Sequence, residues 1–181
     1  MSTAEAYDVD RVRAEWLGRT GDQTAGDYLV EYEPIRRFCH MIEDANPLFL
    51  DPEYARTTTA GDVVCPPTLV DLFSRSGAWP RQPAPPSLIR QVPTPGRKLV
   101  NLNQETEWFA PVKVGDRLTS VERIADIELK PTRLDPLGVA LTTEYVISNQ
   151  RGEVVCLLRN QLLIHRSKKE IAASGEGEGT R

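Results

Sequence analysis

The residue types that could move a proton, hold a carbonyl or attack a substrate gather between positions 34 and 73 of this 181-residue chain. Cys39, His40, Glu43, Asp44 and Asn46 crowd one helical turn and the bend after it, and Cys65 follows. His40 and Asp44 are four residues apart, so a helix would stack them on one side. An imidazole beside a carboxylate can activate water by general base catalysis. That use requires His40 to face a substrate; the plainer reading is a surface or half-buried helix histidine. Asp44 reads equally well as a turn residue and as a polar group held near substrate. Asn46 reads as structural, holding the bend. His165 reads as structural. Cys39, Cys65 and Cys156 sit among apolar neighbours with no adjacent histidine, which makes them core residues, not nucleophiles.

The elements that must position these groups follow from the apolar spacing. Val9, Val12, Trp16 and Leu17 predict a helix over about 8–18. Tyr28, Val30 and Tyr32 alternate with Leu29 and Glu31, which predicts a strand. Pro34 can open a helix whose apolar face is Ile35, Phe38, Cys39 and Ile42. Asn46-Pro47 ends it, because the residue before a proline is driven out of the α region. Asp51-Pro52 reads as the cap and first residue of another short helix. Pro66-Pro67 then opens what should be a central buried helix through Leu69, Val70, Leu72 and Phe73.

Residues 80–97 hold six of the 14 prolines and read as a long loop or flap. Four strands are expected after it. The first, Lys98–Phe109, places Val100, Leu102 and Trp108 on one parity. A mixed strand runs over Arg117–Leu129. Leu137, Val139, Leu141, Tyr145 and Ile147 mark the third. The turn Asn149–Gly152 leads into Val154, Cys156, Leu158, Leu162 and Ile164. The expected fold class is α+β, an antiparallel sheet wrapped around one helix. One domain over 8–166 accounts for the pattern, with 1–7 as a disordered N-terminus and 167–181 as a disordered tail.

Composition narrows the function. No apolar run approaches the roughly 20 residues that cross a bilayer, and the polar N-terminus is not a secretory signal. Net charge is −4 and gives no basic field for nucleic acid. Three widely spaced cysteines suit reduced thiols, hence a cytoplasmic location. Two histidines and no Cys-x-x-Cys argue against a metal site.

The run Phe38-Cys39-x-x-x-Glu43-Asp44-x-Asn46-Pro47-Leu48, then Asp51-x-x-Tyr54-Ala55, Val63-Val64-Cys65-Pro66-Pro67-Thr68 and Trp108-Phe109-x-Pro111-Val112-x-x-Gly115-Asp116, resembles the MaoC-like (R)-specific enoyl-CoA hydratases, in particular their N-terminal, degenerate dehydratase-like branch. The resemblance covers roughly 8–166. It implies a single hot-dog fold with an extra helical overhang, and no cofactor beyond the coenzyme A of the substrate. In active members the turn reads Asp-x-Asn-Pro-Leu-His, whose Asp and His activate water, and a His-Gly opens the central helix with a backbone N–H on the thioester carbonyl. This chain keeps Asp44 and Asn46 but carries Phe49 at the histidine position, and Pro66-Pro67 where His-Gly would stand. A phenyl ring transfers no proton, and Pro67 has no N–H.

The resemblance therefore implies no catalytic residue in this chain. Asp44, Asn46, Phe49 and Pro67 become degenerate positions. Asp44, Phe49, Pro66 and Trp79 are candidate substrate contacts. Arg90, Arg97 and Lys98 are candidates for the coenzyme A phosphates. The expected function is a non-catalytic subunit that makes room for a bulky trans-2-enoyl-CoA, a steroid side-chain or long acyl thioester. A catalytic MaoC-like hot-dog subunit would supply the Asp and His, in a heterodimer or dimer of heterodimers. The alternatives are a homodimeric hydratase using Asp44 and His40, and a non-enzymatic acyl-thioester-binding module.

Overall fold

The computed structural model of the chain describes residues 7–76 and 86–174. Asp8 starts the first helix by accepting the Arg11 backbone N–H, and α1 (Val9–Trp16) buries Val12 and Trp16. The chain then runs along a sheet edge, where only β1 (Thr24–Ala25) is regular strand. Next comes the helical excursion: α2 (Tyr32–Ile42), α3 (Pro47–Leu50) and α4 (Pro52–Thr57). A 3-10 turn, Pro67–Leu69, leads into α5 (Val70–Ser74). A second 3-10 turn at Leu88–Arg90 precedes β2 (Lys98–Trp108), β3 (Thr119–Leu129), β4 (Val139–Ser148) and β5 (Val154–His165). Finally, α6 spans Lys168–Ala173.

The five strands form one antiparallel sheet in the order β1-β3-β4-β5-β2. In β5, Cys156, Leu158 and Ile164 are buried and Leu162 half-buried, as the alternation predicts, but Val154 is exposed and Val155 buried, because the pairing with β4 shifts register at Ile147/Ser148. Cys156, Leu158 and Ile164 belong to the face that meets the helices. Two apolar clusters cover that face. One joins Ile35, Cys39, Val70 and Phe73 to Ile147 and Cys156. The other joins Val12, Trp16, Leu88 and Val92 to Ile124, Leu141 and Ile164.

Two buried carboxylates brace the sheet. Asp135 accepts from the Arg166 backbone N–H at 2.6 Å and from its Nε and Nη2 at 3.0 and 2.7 Å. Burial pushes the Asp135 pKa up, but these donors outweigh it and hold the carboxyl below its ordinary value. Glu144 likewise stays below its ordinary value. Burial raises it, and the guanidinium groups of Arg159 and Arg123 more than reverse that, through Nε bonds of 2.7 and 2.9 Å.

Several expectations change. Residues 28–32 are not a strand: Val30 alone is buried, tied to Asp116 and Gly115 by backbone bonds, and α2 already begins at Tyr32. The central helix is only five residues long, and Leu72 faces solvent. In β2 a bulge between Asn101 and Asn103 inverts the parity, so Val100 and Trp108 lie on opposite faces. Within the expected tail, Lys168–Ala173 is helical, because Ser167 and Glu170 form a reciprocal capping box. Tyr7 is placed as well, with its hydroxyl donating to the Pro93 carbonyl. Residues 1–6, 77–85 and 175–181, and with them Trp79, lie outside the described residues.

Candidate functional site

The bend after α2 is built from local hydrogen bonds. Glu43 closes the helix in the left-handed region (φ 58°), and the Asp44 N–H reaches back to the Cys39 carbonyl at 2.9 Å. The Asp44 carboxylate accepts the Asn46 N–H at 3.0 Å, and the Asn46 side chain accepts the Leu48 N–H at 3.0 Å. These are two successive Asx turns. Asn46 is thus the cap of α3, and Asp44 spends one oxygen on its own backbone. Asp51 repeats the device for α4, accepting from the N–H groups of Glu53 and Tyr54.

Phe49 is half-buried and packs, with Leu48 and Leu50, against the cluster that holds Cys39, Cys65 and Phe73. The ring occupies apolar space where a proton-transfer group would be desolvated. Tyr32 secures this packing by donating to the Leu50 carbonyl at 2.6 Å. His40 is exposed on α2, beside the exposed apolar residues Met41 and Ile42. The described residues show no hydrogen bond between His40 and Asp44.

Pro66 is buried and Pro67 is exposed as the first residue of the 3-10 turn. The first backbone N–H of that turn therefore belongs to Thr68. Pro67 lines a shallow apolar hollow of about 290 Å³ with Cys65, Trp108, Phe109 and Val112. Burial pushes the Cys65 thiol up to about 12, and the Cys156 thiol up to about 11. Both stay protonated, which excludes them as thiolate nucleophiles.

A larger cavity, about 540 Å³, opens on the helix side of the sheet between the two apolar clusters. It lies beyond the short α5, between Ser74 and Arg75 and the strand residues Ser120, Glu122, Tyr145 and Ile147. Its wall carries a latch that the sequence pattern does not reveal. Glu122 accepts from the Ser87 hydroxyl at 2.6 Å, the Leu88 N–H at 2.8 Å and the Tyr145 hydroxyl at 3.2 Å. Burial, then the Glu122 charge, pushes the Tyr145 pKa up. The one signal for it in the sequence is a glutamate inside a mixed strand.

Of the candidate coenzyme A contacts, Arg97 and Lys98 stand far from the Pro67 hollow within one copy of the chain. Arg90 is exposed on the turn that leans on β3. Arg97 and Lys98 stand at the start of β2, whereas Trp108 and the Pro67 hollow stand at its far end. Eleven strand residues separate the two by roughly 30 Å. Within one copy, Arg97 and Lys98 therefore stand a strand's length from the hollow that Pro67 lines.

The model of the FAS1-like dehydratase domain region matches residues 15–158. The chain belongs to this MaoC-like dehydratase family. A relative from Thermomonospora curvata, a probable enoyl-CoA hydratase alpha subunit, is 30% identical over 172 residues, covering 90% of this chain and 53% of that protein. The chain thus spans about half the length of that relative. The hot-dog fold is shared with solved structures. The ChsH1-ChsH2 complex from Mycobacterium tuberculosis superposes with a TM-score of 0.68 at 18% identity, covering 87% of this chain and 89% of the matched one. The C-terminally truncated HadBC (3R-hydroxyacyl-ACP dehydratase) complex of the same organism gives 0.54 at 20% identity, covering 81% and 96%. Both solved neighbours are complexes of two different chains.

Proposed function

We propose that the chain is the non-catalytic, substrate-accommodating subunit of a heteromeric MaoC-like enoyl-CoA hydratase. The observation that carries this reading is the state of the turn and helix start. Half-buried Phe49 packs against the core cluster where the resemblance would put the proton-transfer histidine, and Pro67 offers no N–H where it would put an oxyanion donor. Losing a general base costs about 10²–10⁴-fold, and losing one oxyanion donor roughly another 10²–10³-fold. A chain with both losses depends on a partner for chemistry. The exposed His40 offers no support to a self-contained Asp44–His40 pair.

The shortened α5 and the cavity beyond it support the accommodating role. A bulky trans-2-enoyl-CoA, of the steroid side-chain or long-acyl kind, is the substrate class such a subunit would accommodate. The partner's Asp and His would add water across the double bond, with coenzyme A entering only as part of the substrate. The fully exposed β2 edge supports an assembly in which a second hot dog extends the sheet.

Hydration of enoyl-CoA substrates of increasing bulk tests this, with the chain alone, the catalytic subunit alone, and both together. The expected result is background rate for the chain alone and turnover of the bulkiest substrates only by the pair. Turnover by the chain alone that falls in His40→Ala would establish the homodimeric alternative instead.

A further inference from the structure

On the sheet face opposite the helices, one row of cross-strand partners alternates in charge. Arg123 of β3 faces Glu144 of β4, Glu144 faces Arg159 of β5, and Arg159 faces Glu105 of β2. Directly opposed residues share a face and interact, favourably when their charges are opposite. The inner members pair directly: Glu144 is clamped by both arginines. The last member differs. Glu105 accepts only the Asn103 side-chain amide, at 2.9 Å, and no described cation lies within ion-pair distance of it. Glu107, two residues on, adds a second carboxylate to the same face, and both act electrostatically on Arg159. The alternation thus ends on an anion at an edge strand whose eleven residues are all exposed.

Resting on the subunit reading above, we infer that the strand completing the β2 edge carries an arginine or lysine opposite Glu105, and that this charge selects a different chain over a second copy. Two copies paired about a twofold keep each face on its own side. The only β2 cation on the Glu105 face is Lys98, and with the bulge counted it meets Glu105 only when the axis passes through Asn101. That register sets the two Leu102 bulges on either side of the central pair and interrupts the ladder at its middle. Lys98 also already acts on the Glu170 carboxylate of its own chain. A foreign strand with one well-placed cation meets none of these obstacles. Leu99 and Val100 supply apolar contact on the two faces of the same edge.

The test measures the affinity between this chain and the hot-dog subunit whose turn reads Asp-x-Asn-Pro-x-His, by sedimentation at low and high salt. Glu105→Lys should weaken binding about tenfold or more, Glu105→Gln less, and both losses should shrink at high salt. Reversing the partner's edge cation to Glu should restore affinity for Glu105→Lys. Lys98→Glu should leave it within about twofold. Binding that Glu105→Lys does not weaken overturns the inference and leaves the subunit reading standing. A self-dimer of this chain that Lys98→Glu dissolves overturns it equally. Absence of binding by the wild-type chain removes the subunit reading and the inference with it.

Discussion

The sheet has two edges, and they are finished in opposite ways. Along β3 the regular partner, β1, is two residues long, yet the strand is not open. Gly18, Gly21 and Gly26 donate backbone N–H groups to the carbonyls of Ile124, Glu122 and Leu118, and the Ile124 N–H returns to the Arg19 carbonyl. Then α1 packs over the same strand. An irregular strip thus satisfies a sheet edge without reading as a strand. Along β2 the described residues supply no such strip, and all eleven strand residues are exposed. Unpaired N–H and C=O groups in a row are a template for another chain. The contrast teaches that the open edge is not a general looseness of the fold, because the same sheet finishes its other edge with backbone hydrogen bonds.

The largest expected difference is in amide hydrogen exchange of the isolated chain. Backbone N–H groups pointing outward from β2 should exchange close to the unprotected rate, while those of β3 are slower by about 10³-fold or more. Equal protection of both strands would erase the distinction. Next in size is a break in the closed edge. A Cβ on Gly26 would lie 1.8 Å from the Phe73 carbonyl oxygen, so α5 or the strip must move. Gly26→Ala should cost about 3 kcal/mol in urea unfolding, with a native-like stability contradicting the packing described.

A smaller effect belongs to the row of charges joining the two edges. Glu144→Gln leaves Arg123 and Arg159, both half-exposed, without their shared anion, and should cost about 1–2 kcal/mol. Glu144 and Asp135 also set an acid limit. Their folded pKa values lie below the unfolded ones, so their contribution is present above the ordinary carboxylate pKa of about 4. It is lost as pH falls through the lowered folded values. The thermal unfolding temperature should therefore drop steeply below about pH 4, and the drop should be shallower in Glu144→Gln. The smallest effect is at the open edge itself. Val100→Lys should change the stability of the lone chain by no more than about 0.5 kcal/mol, since the side chain is already in solvent.

Much of the site was legible because its chemistry is local. Asp51-Pro52 capped a helix as expected, since the cap uses groups two and three residues away. The Asn149–Gly152 turn formed as expected too, and Asn46 holds the bend as read, although the short helix it caps, α3, was not expected. Even the absence of a proton-transfer group at Phe49 and of an N–H at Pro67 needed only the identity of the residues. From Cys156 onward the β5 alternation survived because β5 is paired along both sides, which holds Cys156, Leu158 and Ile164 on the helix face; at Val154 it failed, where the pairing with β4 is irregular. The alternation over residues 28–32 misled. Tyr28, Val30 and Tyr32 have strand periodicity, yet only Val30 finds a backbone partner across the molecule.

The amino-acid sequence by itself determined the punctuation of the chain, its four long strands and the lack of a proton-transfer group at Phe49 and of an N–H at Pro67, because caps, turns and side-chain chemistry act over a few residues. Tertiary structure decided how far α5 extends, where the Leu102 bulge inverts β2, and that Arg97 and Lys98 stand a strand's length from Pro67. It alone aligned Arg123, Glu144, Arg159 and Glu105 in one row. Register is a property of paired strands, and no stretch of a single strand contains it.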